Sequence, residues 1–289
     1  CCIVESNSSD NSRQILQSWC DEDKTRRFFI TLGDLQDSKR TIRIAKSRNT
    51  YLNFFESNGY YSNGYCSNVV DPNLQSGSNL QSSSSTPRID PFDYLLVADI
   101  DNLNLDDDFK NQLESCLVRD DWDGIGSNRR GSYYDTWALR SAQMGCTFDC
   151  WEMAKKYKNV QKYVSRFQTP IPESNPWIKC ESAFCGMALY KTKSIFNHRY
   201  NGNVTCEHID FHKGLKMFIN PRLISGSVAH NADLLKKQRP RTKLRRFNSN
   251  MLLSRTKFKR RIAQPNRIYK TIQNSKKRIV NSNQLNNNR

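Results

Sequence analysis

The residues best placed to do chemistry begin with Asp99-Ile100-Asp101, which closes the apolar run YLLVA (94–98). Alternate carboxylates at a strand end can share one hard cation, and oxygen ligands suit Mg²⁺ or Mn²⁺. The same spacing recurs at 21–23, 106–108 and 121–123. Only 99–101 follows a run of the kind covered on both faces, the place where open α/β sheets bind ligands. The competing reading is a solvated strand-to-helix turn capped by Asn102 or Asn104.

Two further stretches carry candidate groups. CEHIDFH (206–212) offers Glu207, Asp210 and His208 as groups able to take a proton. A positioned base contributes a factor of ~10²–10⁴ to a rate. Each also has a structural reading, as a strand-end carboxylate or a hydrogen-bonded imidazole. WDGIGSNRRGSYYDTWALR (122–140) sets Trp122, Tyr134 and Trp137 among Asp123 and Asp135. Aromatic faces pack the C–H face of a polyhydroxylated ring and carboxylates accept from its hydroxyls. The alternative is an aromatic core helix with Asp135 as a cap or as an ion partner of Arg140.

The elements that must position these groups alternate between strand and helix. CCIV is a short strand, and Ser9, Asp10 and Ser12 precede a helix over RQILQSWC. FFITL (28–32) is a second strand, and Gly33 and Asp34 turn the chain. Residues 38–56 form a helix with Ile42, Ala45, Asn49 and Leu52 near one face. Residues 57–88, rich in Ser, Asn and Gly, are a flexible insertion. Then come a strand at 94–98, a helix at 106–118, a site-lining loop over 121–151 that holds a helix around 134–144, a helix at 152–167, a Pro-rich connector at 169–176, and strands at 181–190 and 215–219. Alternation of this kind predicts an α/β domain whose mixed, mainly parallel sheet is flanked by helices.

The 289 residues carry 45 Lys and Arg against 28 Asp and Glu, a net charge of +17. Residues 1–230 are formally neutral, while 231–289 hold 18 basic residues and one acid, Asp233. The expectation is a neutral domain over 1–230 and a basic, solvated tail over 231–289 that could meet anionic lipid or phosphate backbones. No apolar run approaches the ~18 residues of a membrane span. The ten cysteines show no C-x-x-C pair, so reduced and mostly buried thiols in a cytoplasmic protein are expected.

Taken in order, these residues resemble the GT-A-fold glycosyltransferases, both the large inverting family with two-carboxylate metal motifs and the capsule-type sugar transferases. The resemblance spans nearly all of 1–230. VESNSSD (4–10) is similar to the family's first loop, which implies nucleotide contacts for Glu5 and Asp10. RTIRIAKSRNTYL (40–52) resembles the helix before the metal strand and implies a nucleotide-side role for Arg48 and Asn49. YLLVADIDN resembles the metal strand itself, so Asp99 and Asp101 would hold Mn²⁺ or Mg²⁺ and through it the diphosphate, with His230 completing the shell. ESAFCGMALYK (181–191) is similar to the acceptor loop, with Gly186 at the family's glycine. YYDTWALR resembles a capsule-type stretch. In CEHIDFHKG, Glu207 and Asp210 match acidic positions, and His208 stands where the usual base is Asp. The resemblance also implies that the family's first strand precedes residue 1. The implied activity is metal-dependent transfer from a nucleotide-diphosphate sugar to a glycan, a lipid-linked acceptor or a protein, with the tail at an anionic membrane surface. The rival readings are nucleic-acid binding through the tail, for which the neutral domain offers no motif, and a sugar-binding relative without turnover.

Overall fold

The computed structural model describes residues 1–36, 39–59, 92–100 and 107–226. Most of the 57–88 insertion, the basic tail, Asp101 and His230 lie outside the described residues. Among the described residues no helix is long and apolar enough to cross a membrane.

The chain opens with β1 (Cys2–Glu5), α1 (Ser12–Asp21) and β2 (Phe28–Thr31), and β1 and β2 pair in parallel. The long helix α2 (Arg40–Ser57) follows. After the insertion come β3 (Tyr94–Ala98), α3 (Phe109–Cys116) and β4 (Gly124–Asn128). Next are α4 (Cys150–Tyr157), α5 (Val160–Tyr163), β5 (Ile178–Cys180) and β6 (Met187–Lys191). The last elements are α6 (Thr192–Ile195), α7 (His208–His212) and β7 (Met217–Ile224).

Five strands form a mixed sheet in the order β3-β6-β4-β7-β5. Only β4 and β7 run parallel within it; the other three pairings are antiparallel. The expectation of a mainly parallel sheet is therefore corrected. The run YLLVA does lie between two apolar layers, since Leu95 and Val97 join one core and Tyr94, Leu96 and Ala98 the other. A strand covered on both faces needs a continuous apolar run whatever the direction of its neighbour, and β6 meets β3 antiparallel. Helix α3 supplies Phe109, Leu113 and Cys116 to one face of the sheet; Ala45 and Leu52 of α2, and Cys150 and Ala154 of α4, belong to the other core.

Three local expectations also change. GIGSN is a strand, not a loop, because close packing there demands glycine. A Cβ on Gly124 would lie 2.5 Å from Met217 Sδ, and one on Gly126 would lie 2.8 Å from the Ala183 carbonyl oxygen. The helix expected around 134–144 is absent among the described elements. Its backbone bonds elsewhere instead: Arg140 N–H donates to Ser182 O at 2.8 Å, Glu181 N–H to Arg140 O at 2.8 Å, and Ala138 N–H to the Asp135 carboxylate at 3.3 Å. The helix expected at 152–167 breaks where Lys158 turns left-handed at φ 51°, after which Asn159 caps α5.

Helix α2 is pressed against the segment before α7. Thr41 Oγ1 donates to Gly202 O at 2.6 Å, and a Cβ on Gly202 would run into the Thr41 carbonyl group. Backbone cannot yield as a flexible side chain can, so Gly202→Ala should destabilise the protein by about 1–3 kcal/mol. Val204→Ala, at a side chain 91% exposed, should stay within about 0.5 kcal/mol. Urea unfolding of the two variants checks the contrast, and equal midpoints would remove the close approach from the account.

Candidate functional site

The buried stripe of α2 runs through Thr41, Ala45, Arg48, Leu52 and Phe55. Arg48 therefore points inward, and Asn49 lies beside the stripe rather than on it. Arg48 Nη2 donates to Asp99 Oδ1 at 2.8 Å and Nε to Glu207 Oε1 at 3.2 Å. Its guanidinium sits 4.7 Å above the Phe184 ring and 5.6 Å from that of Tyr200. Burial works against its charge, but the negative charges of Asp99 and Glu207 outweigh burial and hold the group above its ordinary range.

A cavity of about 230 Å³ opens beside this arginine. Asp99 follows β3, Arg129 follows β4, Ser225 follows β7, and Gly186 precedes β6. Because β6 is antiparallel, all four residues lie at one end of the sheet, the end where the parallel pair β4–β7 finishes. Glu207 and His208, at the start of α7, also line the cavity. Tyr134, Asp135 and Trp137 join the lining from the irregular segment.

Each group has a defined state. The Asp135 carboxylate accepts from Cys185 N–H at 3.0 Å and from Ala138 N–H at 3.3 Å. Burial nevertheless pushes its pKa up to about 6, with the charges of Glu207 and Asp99 adding to the rise. His208 stacks on Phe184 with ring centroids 4.1 Å apart, and neither ring nitrogen has a hydrogen-bond partner. Burial, then the charge of Arg48, hold it well below the usual imidazole range, so it is neutral despite Glu207 Oε1 at 3.6 Å. Trp137 is fixed by an indole N–H donated to Asp149 Oδ2 at 3.2 Å, and Asp149 also caps α4. Gly186 has φ +86° and a Cβ there would stand 3.1 Å from the Tyr134 hydroxyl, so glycine keeps this wall open.

Of the residues singled out from the sequence, Arg48, Asp99, Tyr134, Asp135, Trp137, Gly186, Glu207 and His208 meet on this cavity. Others do not line it. Glu5 ends β1, where burial raises its pKa but hydrogen bonds from Ser8, Thr31 and Arg13 bring it down to about 2. Asp10 accepts from Ser12 N–H at the start of α1. Asn49 exchanges two hydrogen bonds with the Tyr200 backbone, at 2.9 and 3.0 Å. Trp122 is buried in the α3-side core and stacks on Tyr94, and Asp123 accepts from Ser194 Oγ and Lys216 N–H. Asp210 is exposed on α7.

Asp101 and His230 lie outside the described residues, so Asp99 alone represents the expected metal ligands. Among the described residues no three His, Cys, Asp or Glu side chains group to hold a metal ion. The sequence reading passed over Arg40, Arg129, Trp151, Gln168, Phe184 and Ser225, all of which line the cavity. Arg129 follows a strand hidden in a glycine-rich segment, and Ser225 follows one that runs through Pro221 beyond the expected end at 219.

No family model matches the chain, and no curated protein or solved structure does. The reading of the cavity therefore rests on its own geometry.

The raised Asp135 pKa has a signed consequence. A folded-state pKa above the unfolded value means that the folded protein binds the proton more tightly, so this group removes stability as pH climbs from about 4 to about 6. Asp135→Asn lacks that loss. Its stability relative to the wild type should improve between pH 4 and pH 7 by an amount on the order of 2–3 kcal/mol. Thermal unfolding across that range checks it, and a pH-independent difference would contradict the assigned state of Asp135.

Proposed function

We propose that the chain is a glycosyltransferase that moves a sugar from a nucleotide-diphosphate sugar to a hydroxyl of a glycan, a lipid-linked glycan or a protein. The observation that carries this reading is the convergence of Asp99, Asp135 and Glu207 with the rings of Tyr134 and Trp137 on one cavity. Aromatic faces pack a sugar ring and fixed carboxylates accept from its hydroxyls. The indole of Trp137 is already oriented by Asp149, so little ordering remains to be done on binding.

An inverting transfer needs a group to take the proton of the acceptor hydroxyl. Glu207 is the first choice, because one carboxylate oxygen is steadied by Arg48 while the residue lines the cavity. Asp135, with a pKa of about 6, is mostly ionised at neutral pH and is the second. His208 lines the cavity as a neutral ring, with both of its nitrogens buried.

The fit to a divalent ion is carried by Asp99. Its side chain is 42% exposed at the strand end, and only Oδ1 is taken by Arg48. Asp99, with Asp101 and His230 by resemblance, would hold Mn²⁺ or Mg²⁺, which when bound offsets the negative charge of a diphosphate leaving group.

A sugar-binding protein without turnover is the second reading, favoured by the engagement of Glu207 with Arg48. Kinetics separates the two. With Mn²⁺ present, a screen of nucleotide sugars should find one that the full chain consumes. Glu207→Gln should bind that donor as the wild type does, measured by calorimetry, and lose turnover by ~10²-fold or more. An unchanged rate would take Glu207 out of the chemistry, and no consumption of any donor would favour binding alone.

A further inference from the structure

The cavity holds two kinds of arginine. Arg48 has two carboxylate partners. Arg129 has none. It is the first residue after β4 and is only 3% exposed, and its Nε is buried without an acceptor. Among the described residues no ion pair or side-chain hydrogen bond reaches its guanidinium, and the Tyr134 ring centroid lies 4.8 Å from its Cζ. Tyr134 itself lines the cavity.

A buried cation without a counter-ion is unfavourable, since burial removes the solvation that supports the charge and nothing replaces it. Arginine cannot escape by losing its proton. Among the described residues nothing supplies that counter-ion, which suits an anion from outside. The nearby carboxylates do not fill the role. Asp99 and Glu207 are engaged by Arg48, and both oxygens of Asp135 accept backbone N–H groups. Arg40, exposed at the start of α2, lines the same cavity and likewise has no carboxylate partner among the described residues. Two such arginines on one cavity suit a phosphoryl group, whose oxygens match the guanidinium fork and whose charge exceeds that of one carboxylate.

We propose that Arg129 anchors a phosphate-binding subsite in this cavity, with Arg40 at its edge, built by the protein alone and independent of any metal ion. The subsite stands whether or not the chain transfers sugars. Its phosphoryl group could belong to a nucleoside diphosphate or to a sugar phosphate, and the arms of the test tell these apart.

The test is thermal unfolding of the full chain in EDTA, titrated with inorganic pyrophosphate, uridine and guanosine diphosphates, glucose 6-phosphate, and glucose as the uncharged control. A ligand that binds only the folded state raises the midpoint in a saturable way. At least one phosphate compound should do so for the wild type, and glucose should not. Tighter binding of a nucleoside diphosphate assigns the subsite to that ligand; tighter binding of glucose 6-phosphate assigns it to a phosphorylated sugar. Arg129→Met keeps an unbranched apolar stem over Tyr134 and every other basic residue. It should unfold at a higher midpoint than the wild type without ligand and lose at least tenfold in phosphate affinity. Arg129→Lys keeps the charge without the fork and should fall between the two. A wild type indifferent to every phosphate compound overturns the proposal without recourse to a variant. So does an Arg129→Met protein, or an Arg129→Lys protein if the former does not fold, that binds phosphate as the wild type does.

Discussion

A guanidinium can be buried only where opposite charge and hydrogen-bond acceptors are already in place, and the site is arranged around that requirement at Arg48. Asp99 at the end of β3 and Glu207 at the start of α7 meet on two of its three nitrogens, Nη2 and Nε. The three elements are distant in sequence, so this one ion pair network ties α2 to the sheet and to the helix that carries the candidate base. Neutral contacts hold the same geometry. Asn49 pairs with the Tyr200 backbone, Tyr51 and Tyr200 join through their hydroxyls at 3.2 Å, and Tyr200 stacks on Phe211 at 4.0 Å. The closeness of Gly202 to Thr41 sets how near the helix can come.

The charge on Arg48 also fixes the states of its neighbours. Together with burial it keeps both His208 and His212 neutral. The two imidazoles then part company. His212 is satisfied on both nitrogens, by Ser182 Oγ at 2.9 Å and Tyr190 Oη at 2.7 Å, and serves the core. His208 keeps both nitrogens unengaged on the cavity wall. Of the carboxylates on the cavity wall, Asp135 has its pKa lifted by burial to about 6.

Much of the site was legible in the sequence because it sits where strong local patterns end. YLLVA identifies β3 and so places Asp99, while the 3.6-residue period of α2 finds Ala45 and Leu52 but puts Asn49 on the face that Arg48 occupies; Arg48 itself comes from the resemblance of RTIRIAKSRNTYL. What escaped notice depends on contacts between remote segments. GIGSN has one apolar side chain and two glycines, so only the nearness of Met217, Tyr190 and Ala183 explains why it is a strand. With β4 unseen, Arg129 had no place in the fold. WDGIGSN also drew Trp122 and Asp123 toward the pocket, whereas the strand carries its start to the far end of the sheet from Arg129. The direction of β6 could not be read from its own residues, since apolar content reports burial and not orientation.

The central claim is that Arg48 and Glu207 form a buried pair on which the cavity depends, and a double-mutant cycle measures it. Arg48→Met leaves Glu207 as an uncompensated buried charge and should cost about 3–5 kcal/mol. Glu207→Gln should cost less, because Arg48 keeps Asp99. The combined variant should recover part of the Arg48→Met loss, giving a coupling of about 1–3 kcal/mol in denaturant unfolding. Losses that add to within about 0.5 kcal/mol would mean that the two side chains do not depend on each other, and would contradict the account.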